Sequence, residues 1–181
     1  MKKLIRSVAS AIVFAGLASV ASAVTFTPSD AFLLKGTDSS QGAVNTKIAA
    51  YASPATLLYK STQSDGSEEG AFADDYNTTY GTLTKASAVI AFDGPDAINS
   101  NPAYALIKDG NLGWYFYQLT GWNGTDSIDF SGYYGGVQGK ISHVSIYGTH
   151  TTRTNVPDAG ASVALLGLAI AGLGLAHRKL R

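Results

Sequence analysis

Four pairs of neighbouring carboxylates are the residues of this chain best suited to acid–base chemistry. They are Asp74 and Asp75, Glu68 and Glu69, Asp93 and Asp96, and Asp126 and Asp129. Glycoside hydrolysis needs two carboxyl groups across the scissile bond, one of them held protonated, and closeness in sequence does not supply that arrangement. Exposed acidic loops explain such pairs better. We therefore predict no catalytic residues, and a secreted hydrolase that uses Asp126 or Asp129 is the least favoured function.

Metal and thiol chemistry finds little support in the sequence. The chain has no cysteine, which excludes disulfides, thiolate catalysis and cysteine-based zinc sites. His143 and His150 lack a partner at ligand spacing, so His143 is predicted to be a hydrogen-bonded structural residue. Acidic oxygens suit calcium, but neither an EF-hand loop nor a glycine–aspartate repeat is present. We predict no cofactor and no metal, with calcium left open as an alternative.

A cluster of aromatic residues is the best functional signal in the middle of the chain. Alternation along a strand sends Trp114 and Phe116 to one face and Tyr115 and Tyr117 to the other. One face must be core, and the second is either covered too, which is the commoner case, or a platform on which sugar rings stack. The candidate glycan-binding residues are Trp114, Tyr115, Tyr117, Trp122 and Asn123.

Strands and turns are the elements expected to position these side chains. Residues 24–148 are low in charge, rich in Gly, Ser, Thr, Tyr and Asn, and poor in strong helix formers, which favours strands. We predict an all-β body, an antiparallel β-sandwich or jelly-roll-like ectodomain over residues 24–148. The predicted strands cover residues 31–35, 55–60, 82–92, 103–108, 112–119, 127–130 and 140–147.

The pair Asp109-Gly110, between two apolar runs, is the clearest local signal in this body. Such a pair is typical of a two-residue type I′ hairpin turn. A two-residue turn here would place Ile107 opposite Leu112 and Ala105 opposite Trp114.

Basic residues cluster at both ends of the chain. The formal net charge is zero, but between residues 24 and 155 seven Lys and Arg face twelve Asp and Glu, a balance of −5. An acidic body argues against a nucleic-acid partner. At the N-terminus, a basic start, an apolar stretch over residues 8–20 and the small residues Ala21 and Ala23 predict a signal helix. Residues 1–23 would be a signal peptide used by the Sec machinery and removed by signal peptidase after Ala23.

The C-terminal segment has three parts after a Thr-rich linker over residues 149–155. Residues 156–162 form a short motif, residues 163–176 are continuously apolar, and residues 177–181 are basic. At ~1.5 Å per residue the apolar part barely crosses a ~30 Å bilayer core, which fits a transient transmembrane sorting helix. The motif residues are Val156, Pro157, Asp158, Gly160 and Ser162, and the tail residues are Arg178, Lys179 and Arg181.

This tail resembles the sorting signal of PEP-CTERM proteins, the substrates of exosortases, in the VPDSG-CTERM-like variant. Two positions differ, because Ser162 stands where Thr is common and Ala159 where Ser or Gly is common. The resemblance implies export, an inner-membrane intermediate, and cleavage near the motif by a membrane-embedded, exosortase-type enzyme. It further implies a final place at the surface, or outside the cell, of a Gram-negative-type bacterium. Patches of the body also resemble the β-sandwich ectodomain of many exosortase substrates.

Three functions follow from these observations. The leading one is a non-enzymatic cell-surface or extracellular-matrix protein with a structural or interaction role linked to exopolysaccharide in a biofilm matrix. The alternative is a carbohydrate-binding module that uses the aromatic platform, and the third is the secreted hydrolase.

Overall fold

Strands are the main regular elements of the fold. The computed structural model of the chain describes residues 22–81, 86–134, 140–149 and 153–155, together with positions 167 and 170. A helix, α1 (Gln41–Tyr51), lies between the second and third strands. The strands are β1 (Ala23–Phe26), β2 (Leu34–Gly36), β3 (Thr56–Thr62), β4 (Glu68–Glu69), β5 (Tyr76–Tyr80), β6 (Ala88–Phe92), β7 (Asp96–Ile98), β8 (Ala103–Asp109), β9 (Gly113–Gln118), β10 (Ser127–Phe130), β11 (Ile141–Gly148) and β12 (Arg153–Asn155).

The strands form two large sheets and one small one. One sheet has the order β1-β10-β6-β5, the second has the order β2-β9-β8-β11-β3-β4, and β12 pairs with β7. Neighbouring strands are antiparallel throughout the described part of the chain except for β1 and β10, which run parallel. The mostly-β prediction is therefore confirmed, and the purely antiparallel arrangement is corrected at β1.

The predicted strands agree with the structure where alternation and turn residues are clear. The strand predicted over residues 127–130 coincides with β10, and β3, β8, β9 and β11 differ from their predictions by at most two residues at each end. The strand predicted over residues 31–35 overlaps β2 only at residues 34 and 35. The strand predicted over residues 82–92 overlaps β6 at residues 88–92, and residues 82–85 lie outside the described part. Strands β1, β4, β5, β7 and β12 were not predicted.

The β8–β9 hairpin has a different register from the predicted one. Ile107 lies opposite Tyr115, and Ala105 lies opposite Tyr117. The cause is the side chain of Asp109, whose Oδ1 accepts hydrogen bonds from the backbone N–H groups of Asn111 and Leu112, both at 2.7 Å. This side-chain capping makes a three-residue loop over residues 110–112 in place of the two-residue turn.

The main core fills the space between the two large sheets. It takes apolar side chains from one face of each sheet, and these residues are almost completely shielded from solvent. Burial of this surface is the chief stabilising contribution to the fold. Its members include Ala88, Ile90, Ile128 and Phe130 from the first sheet and Ala105, Ile107, Tyr117, Val144 and Ile146 from the second.

Helix α1 covers the other face of the six-stranded sheet. Its first turn is capped by Ser40, whose Oγ accepts a hydrogen bond from the backbone of Ala43 at 3.3 Å, as Ser favours at this position. Val44 and Ile48 are one turn apart and both fully buried. They pack against a second core that contains Tyr104, Leu106, Trp114, Phe116 and Tyr147. The helix is a third layer that the composition did not predict.

Candidate functional site

Most of the predicted aromatic platform is buried. Trp114 is 1% exposed and packs in the second core under α1, and Tyr117 is fully buried in the main core. These two rings therefore cannot stack on a sugar at the surface. The physical reason is that both faces of β9 are covered, one by the helix layer and the other by the four-stranded sheet. The platform prediction is corrected at Trp114 and Tyr117.

Tyr115 is half-buried, but its ring is already in contact with neighbouring side chains. The Nζ atom of Lys35 lies 4.7 Å from the ring centroid, a cation–π contact. The ring of Phe32 meets it edge-on with centroids 5.6 Å apart, and Tyr117 stacks at 6.3 Å. Tyr115 therefore belongs to an aromatic cluster at the edge of the core.

Trp122 and Asn123, the remaining two candidates, lie together in a cleft. The cleft has a volume of about 350 Å³ and is lined by residues 98–101, by Leu119 and by residues 121–123. Asn99, Asn101 and Asn123 are exposed, whereas Trp122 is largely buried. The structure thus brings these two predicted residues next to an asparagine-rich loop that sequence reasoning did not connect with them.

Hydrogen bonds fix the shape of the cleft on both of its sides. The Nε1–H of Trp122 donates to the backbone oxygen of Asp126 at 2.7 Å. Asn123 Oδ1 accepts from the backbone N–H groups of Thr125 and Asp126, at 2.9 and 2.8 Å. On the other side, Ser100 Oγ accepts the backbone N–H of Thr149 at 2.9 Å. The indole and the loops around it are therefore held in place before any ligand binds.

Tyr76 joins the two sides of the cleft from below. Its buried hydroxyl accepts the backbone N–H of Ile98 at 2.9 Å and donates to the backbone oxygen of Gly124. Its ring packs on Trp122 with centroids 6.3 Å apart. Burial raises the pKa of the Tyr76 hydroxyl well above its usual value, so the group stays protonated and able to donate. One side chain of β5 thus couples β7 to the turn after Trp122.

Gly124 allows these two segments to approach closely. Its φ of +86° lies in the left-handed region, which side chains other than glycine rarely adopt. A Cβ at this position would lie 2.2 Å from the backbone oxygen of Ile98. The backbones can therefore meet only because this residue has no side chain.

Several of the carboxylates singled out in the sequence hold loops and strands together. Glu68 accepts the hydroxyl of Tyr59 at 2.6 Å, and Glu69 pairs with Lys60 at 2.8 Å. Asp93 accepts the amide of Asn77 at 2.9 Å. In the part of the chain that the structure describes, no three His, Cys, Asp or Glu residues lie close enough together to hold a metal ion.

Asp75 and Asp96 are joined by a hydrogen bond in the interior. Asp75 is buried, and its Oδ1 accepts the backbone N–H of Asp96 at 3.1 Å. The backbone oxygen of Asp75 also accepts the N–H groups of Asp93 and Gly94. These bonds connect the start of β5 to the turn that leads into β7, and so help to position the Ile98 side of the cleft.

His143 is a structural residue on β11, as predicted. Its Nδ1 lies 3.2 Å from Ser142 Oγ. Burial, together with the positive charges of Lys60 and Lys108, lowers the pKa of His143 to about 4. The imidazole is therefore neutral at pH 7.

The small β12–β7 sheet connects the body to the predicted sorting motif. Arg153 pairs with Ile98, Thr154 with Ala97, and Asn155 with Asp96. The linker predicted over residues 149–155 therefore contains a strand at its end, because β7 offers backbone groups that these residues can pair with. The motif begins one residue after Asn155.

The terminal segments lie largely outside the described residues. These comprise the predicted motif and tail residues (Val156, Pro157, Asp158, Gly160, Ser162, Arg178, Lys179 and Arg181) and Ala21 of the predicted signal site. Ala23, the other signal-site residue, is the first residue of β1 and pairs with Ser127. Within the part of the chain that is described, no helix has the length and apolar character needed to cross a membrane.

Comparison with known families identifies the C-terminal segment. Residues 155–180 match the model of the VPDSG-CTERM motif. The chain carries a VPDSG-CTERM sorting signal. This signal is a PEP-CTERM-like exosortase signal, so the predicted resemblance is confirmed for the tail. Searches of curated proteins and of solved structures gave no match to the chain.

Proposed function

We propose that this chain is an exported surface or matrix protein with a non-enzymatic role in contact with exopolysaccharide. The VPDSG-CTERM signal over residues 155–180 is the observation that carries the proposal. It implies processing by an exosortase-type enzyme and export to the cell surface. We further propose that the precursor is exported by the Sec machinery and passes through an inner-membrane intermediate in a Gram-negative-type envelope. The body then works outside the cell.

The start of the fold supports the proposed processing at the N-terminus. β1 begins at Ala23, and Val24, Thr25 and Phe26 pair with residues 128–130 of β10. Cleavage after Ala23 would leave these three pairs intact at the new N-terminus. Removal of residues 1–23 would take Ala23 and its pair with Ser127 from β1 and would leave Val24 and Phe26 packed against the main core.

The contacts of four acidic side chains support the non-enzymatic role, because these carboxylates serve the fold. Glu68, Glu69 and Asp93 each accept a hydrogen bond or ion pair from a neighbouring structural residue, and Asp75 holds a backbone N–H in the interior. Glycosidase carboxylates instead face each other across a substrate. Turnover of a polysaccharide panel, abolished by Asp126→Ala or Asp129→Ala, would revive the hydrolase and overturn the non-enzymatic role.

A carbohydrate-binding module is the second candidate, and the cleft favours it. The platform of Trp114 and Tyr117 is covered, but Trp122 and Asn123 line a surface cleft with further asparagines. Sugar recognition by aromatic and amide side chains would then take place at the cleft, outside the covered faces of β9.

Replacement of Pro157 and Asp158 by Ala tests the use of the sorting signal. Pro157 favours an extended backbone at Val156, which suits a protease-like groove. The double variant should therefore keep its C-terminal segment, have a larger mass and be retained in the membrane. Intact mass and cell fractionation measure both properties. A matched control replaces Thr151 and Thr152 by Ala just upstream. An unchanged mature mass in the Pro157 and Asp158 variant would contradict the proposed processing.

A further inference from the structure

We infer that the cleft lined by residues 98–101, by Leu119 and by residues 121–123 is a binding site for a neutral saccharide. The inference rests on the proposed role in contact with polysaccharide and adds to it a place on the body and a class of ligand. The cleft volume of about 350 Å³ lies at the lower end of the ~300–1,000 Å³ typical of small-molecule sites. That size favours a short stretch of glycan.

The chemistry of the lining selects a ligand rich in hydroxyl groups and without charge. Asn99, Asn101 and Asn123 bring carboxamides, each with two N–H donors and one carbonyl acceptor. The oxygen of Asn123 is taken up by its own turn, so this residue offers its two N–H donors. Sugar hydroxyls both donate and accept, so they match such groups. Among the described residues that line the cleft, none carries a charge. The described lining therefore offers an anionic glycan no cation to offset the loss of its hydration.

Trp122 forms part of the apolar lining of the cleft. It is 9% exposed and belongs to the main core, so it offers a sugar ring a small apolar patch, and the exposed carboxamides carry most of the recognition. The orientation of this indole is set by the Nε1 bond to the Asp126 backbone and by packing on Tyr76. Because Asn123 Oδ1 is also fixed in its turn, neither Trp122 nor Asn123 has to be ordered at the moment of binding.

A glycan array tests the inference on the purified exported protein. The array carries neutral gluco-, manno- and galacto-oligosaccharides beside uronic-acid oligosaccharides of equal length, and titration calorimetry measures the hits. We expect saturable binding to neutral members. The double variant Asn99→Ala, Asn101→Ala should weaken binding at least tenfold, since both residues are exposed and their loss leaves the core intact. The matched control is Asn111→Ala, in the exposed β8–β9 loop, which should bind as the parent protein does.

Three outcomes would overturn the assignment of the cleft as a saccharide site. They are the absence of saturable binding, binding confined to uronic-acid members, and equal binding by the double variant and its parent. The thermal midpoint of each variant, compared with the parent, shows that the fold is kept. Failure here is distinguishable from failure of the proposed function, because processing and surface location are measured separately by mass and fractionation. A correctly sorted protein that binds no neutral glycan would refute the cleft alone.

Discussion

Replacement of Tyr76 by Phe should destabilise the body far more than the loss of one oxygen atom suggests. The hydroxyl of Tyr76 is buried and has two backbone partners, the N–H of Ile98 and the carbonyl of Gly124. These partners lie 22 and 48 residues away in the chain. Phe preserves the ring and its packing, so the variant removes the two bonds and little else.

The expected cost follows from the two groups that are left behind. A buried donor or acceptor without a partner costs about 1–3 kcal/mol. The Tyr76→Phe variant leaves one donor, the N–H of Ile98, and one acceptor, the carbonyl of Gly124, without this partner. We therefore expect a loss of about 3 kcal/mol in the free energy of unfolding. For a body of this size that corresponds to a fall of about 10 °C in the thermal midpoint.

Urea denaturation of the purified exported protein measures the cost, with Tyr80→Phe as the control. Tyr80 lies on the same strand, and its hydroxyl donates to the backbone oxygen of Ser61 at 2.8 Å. This bond is only partly buried, so water can replace the lost partner and the expected cost is about 1 kcal/mol. The denaturant slope should be the same in both variants because the surface exposed on unfolding hardly changes.

Two results would refute the role given to Tyr76. The first is a cost no greater than that of Tyr80→Phe. The second is undiminished glycan binding by the Tyr76→Phe protein, because the same hydroxyl holds both sides of the cleft together.

Three further predictions concern a glycine, a histidine and a helix cap. Gly124→Ala should cost several kcal/mol more than Gly121→Ala in urea unfolding, because both glycines have positive φ but only the first would place a Cβ against the Ile98 oxygen; equal costs would refute the close approach. Because the folded pKa of His143, about 4, lies below its ordinary value of 6.5, its contribution is complete above pH 6.5 and is lost as the pH falls towards 4. The loss should reach about 3 kcal/mol at pH 4. The difference between the unfolding free energies at pH 7 and pH 4 should therefore be about 3 kcal/mol smaller in His143→Gln than in the parent protein. Ser40→Ala should lower stability by about 1 kcal/mol through loss of the cap on α1, and an unchanged urea midpoint would contradict the capping role.

The sequence predicted those features of the fold that depend on local chemistry. Alternating apolar residues and turn signals located β3, β8, β9, β10 and β11 closely. The sorting signal was equally accessible, because its parts follow one another along the chain and need no fold to be recognised. Local patterns of this kind are carried by neighbouring residues alone.

The register of the β8–β9 hairpin shows where local reasoning fails. The Asp109 side chain bonds two backbone N–H groups of the loop, and the loop moves from residues 109–110 to residues 110–112. The new register moves the partner of Ile107 from Leu112 to Tyr115. Because side chains alternate along a strand, an odd shift exchanges its two faces. Tyr115 and Tyr117 therefore face the main core, while Trp114 faces helix α1.

The cleft could not be predicted because its two sides meet only in the folded chain. Residues 98–101 and 119–123 are brought together by Tyr76 and by the close approach at Gly124. The Asn123-Gly124 pair signals a turn, but nothing in the sequence links that turn to Asn99 and Asn101. Helix α1 was missed for a related reason, since its buried stripe rests chiefly on Val44 and Ile48, too short to stand out from the surrounding polar residues.

Intact mass spectrometry of the protein recovered from each cell fraction tests the central claim most directly. The account predicts a chain that begins at Val24, ends near the Val156-Pro157-Asp158 motif, and is found at the cell surface or outside the cell. Recovery of the full 181-residue chain from the cytosol, with both ends uncut, would contradict it.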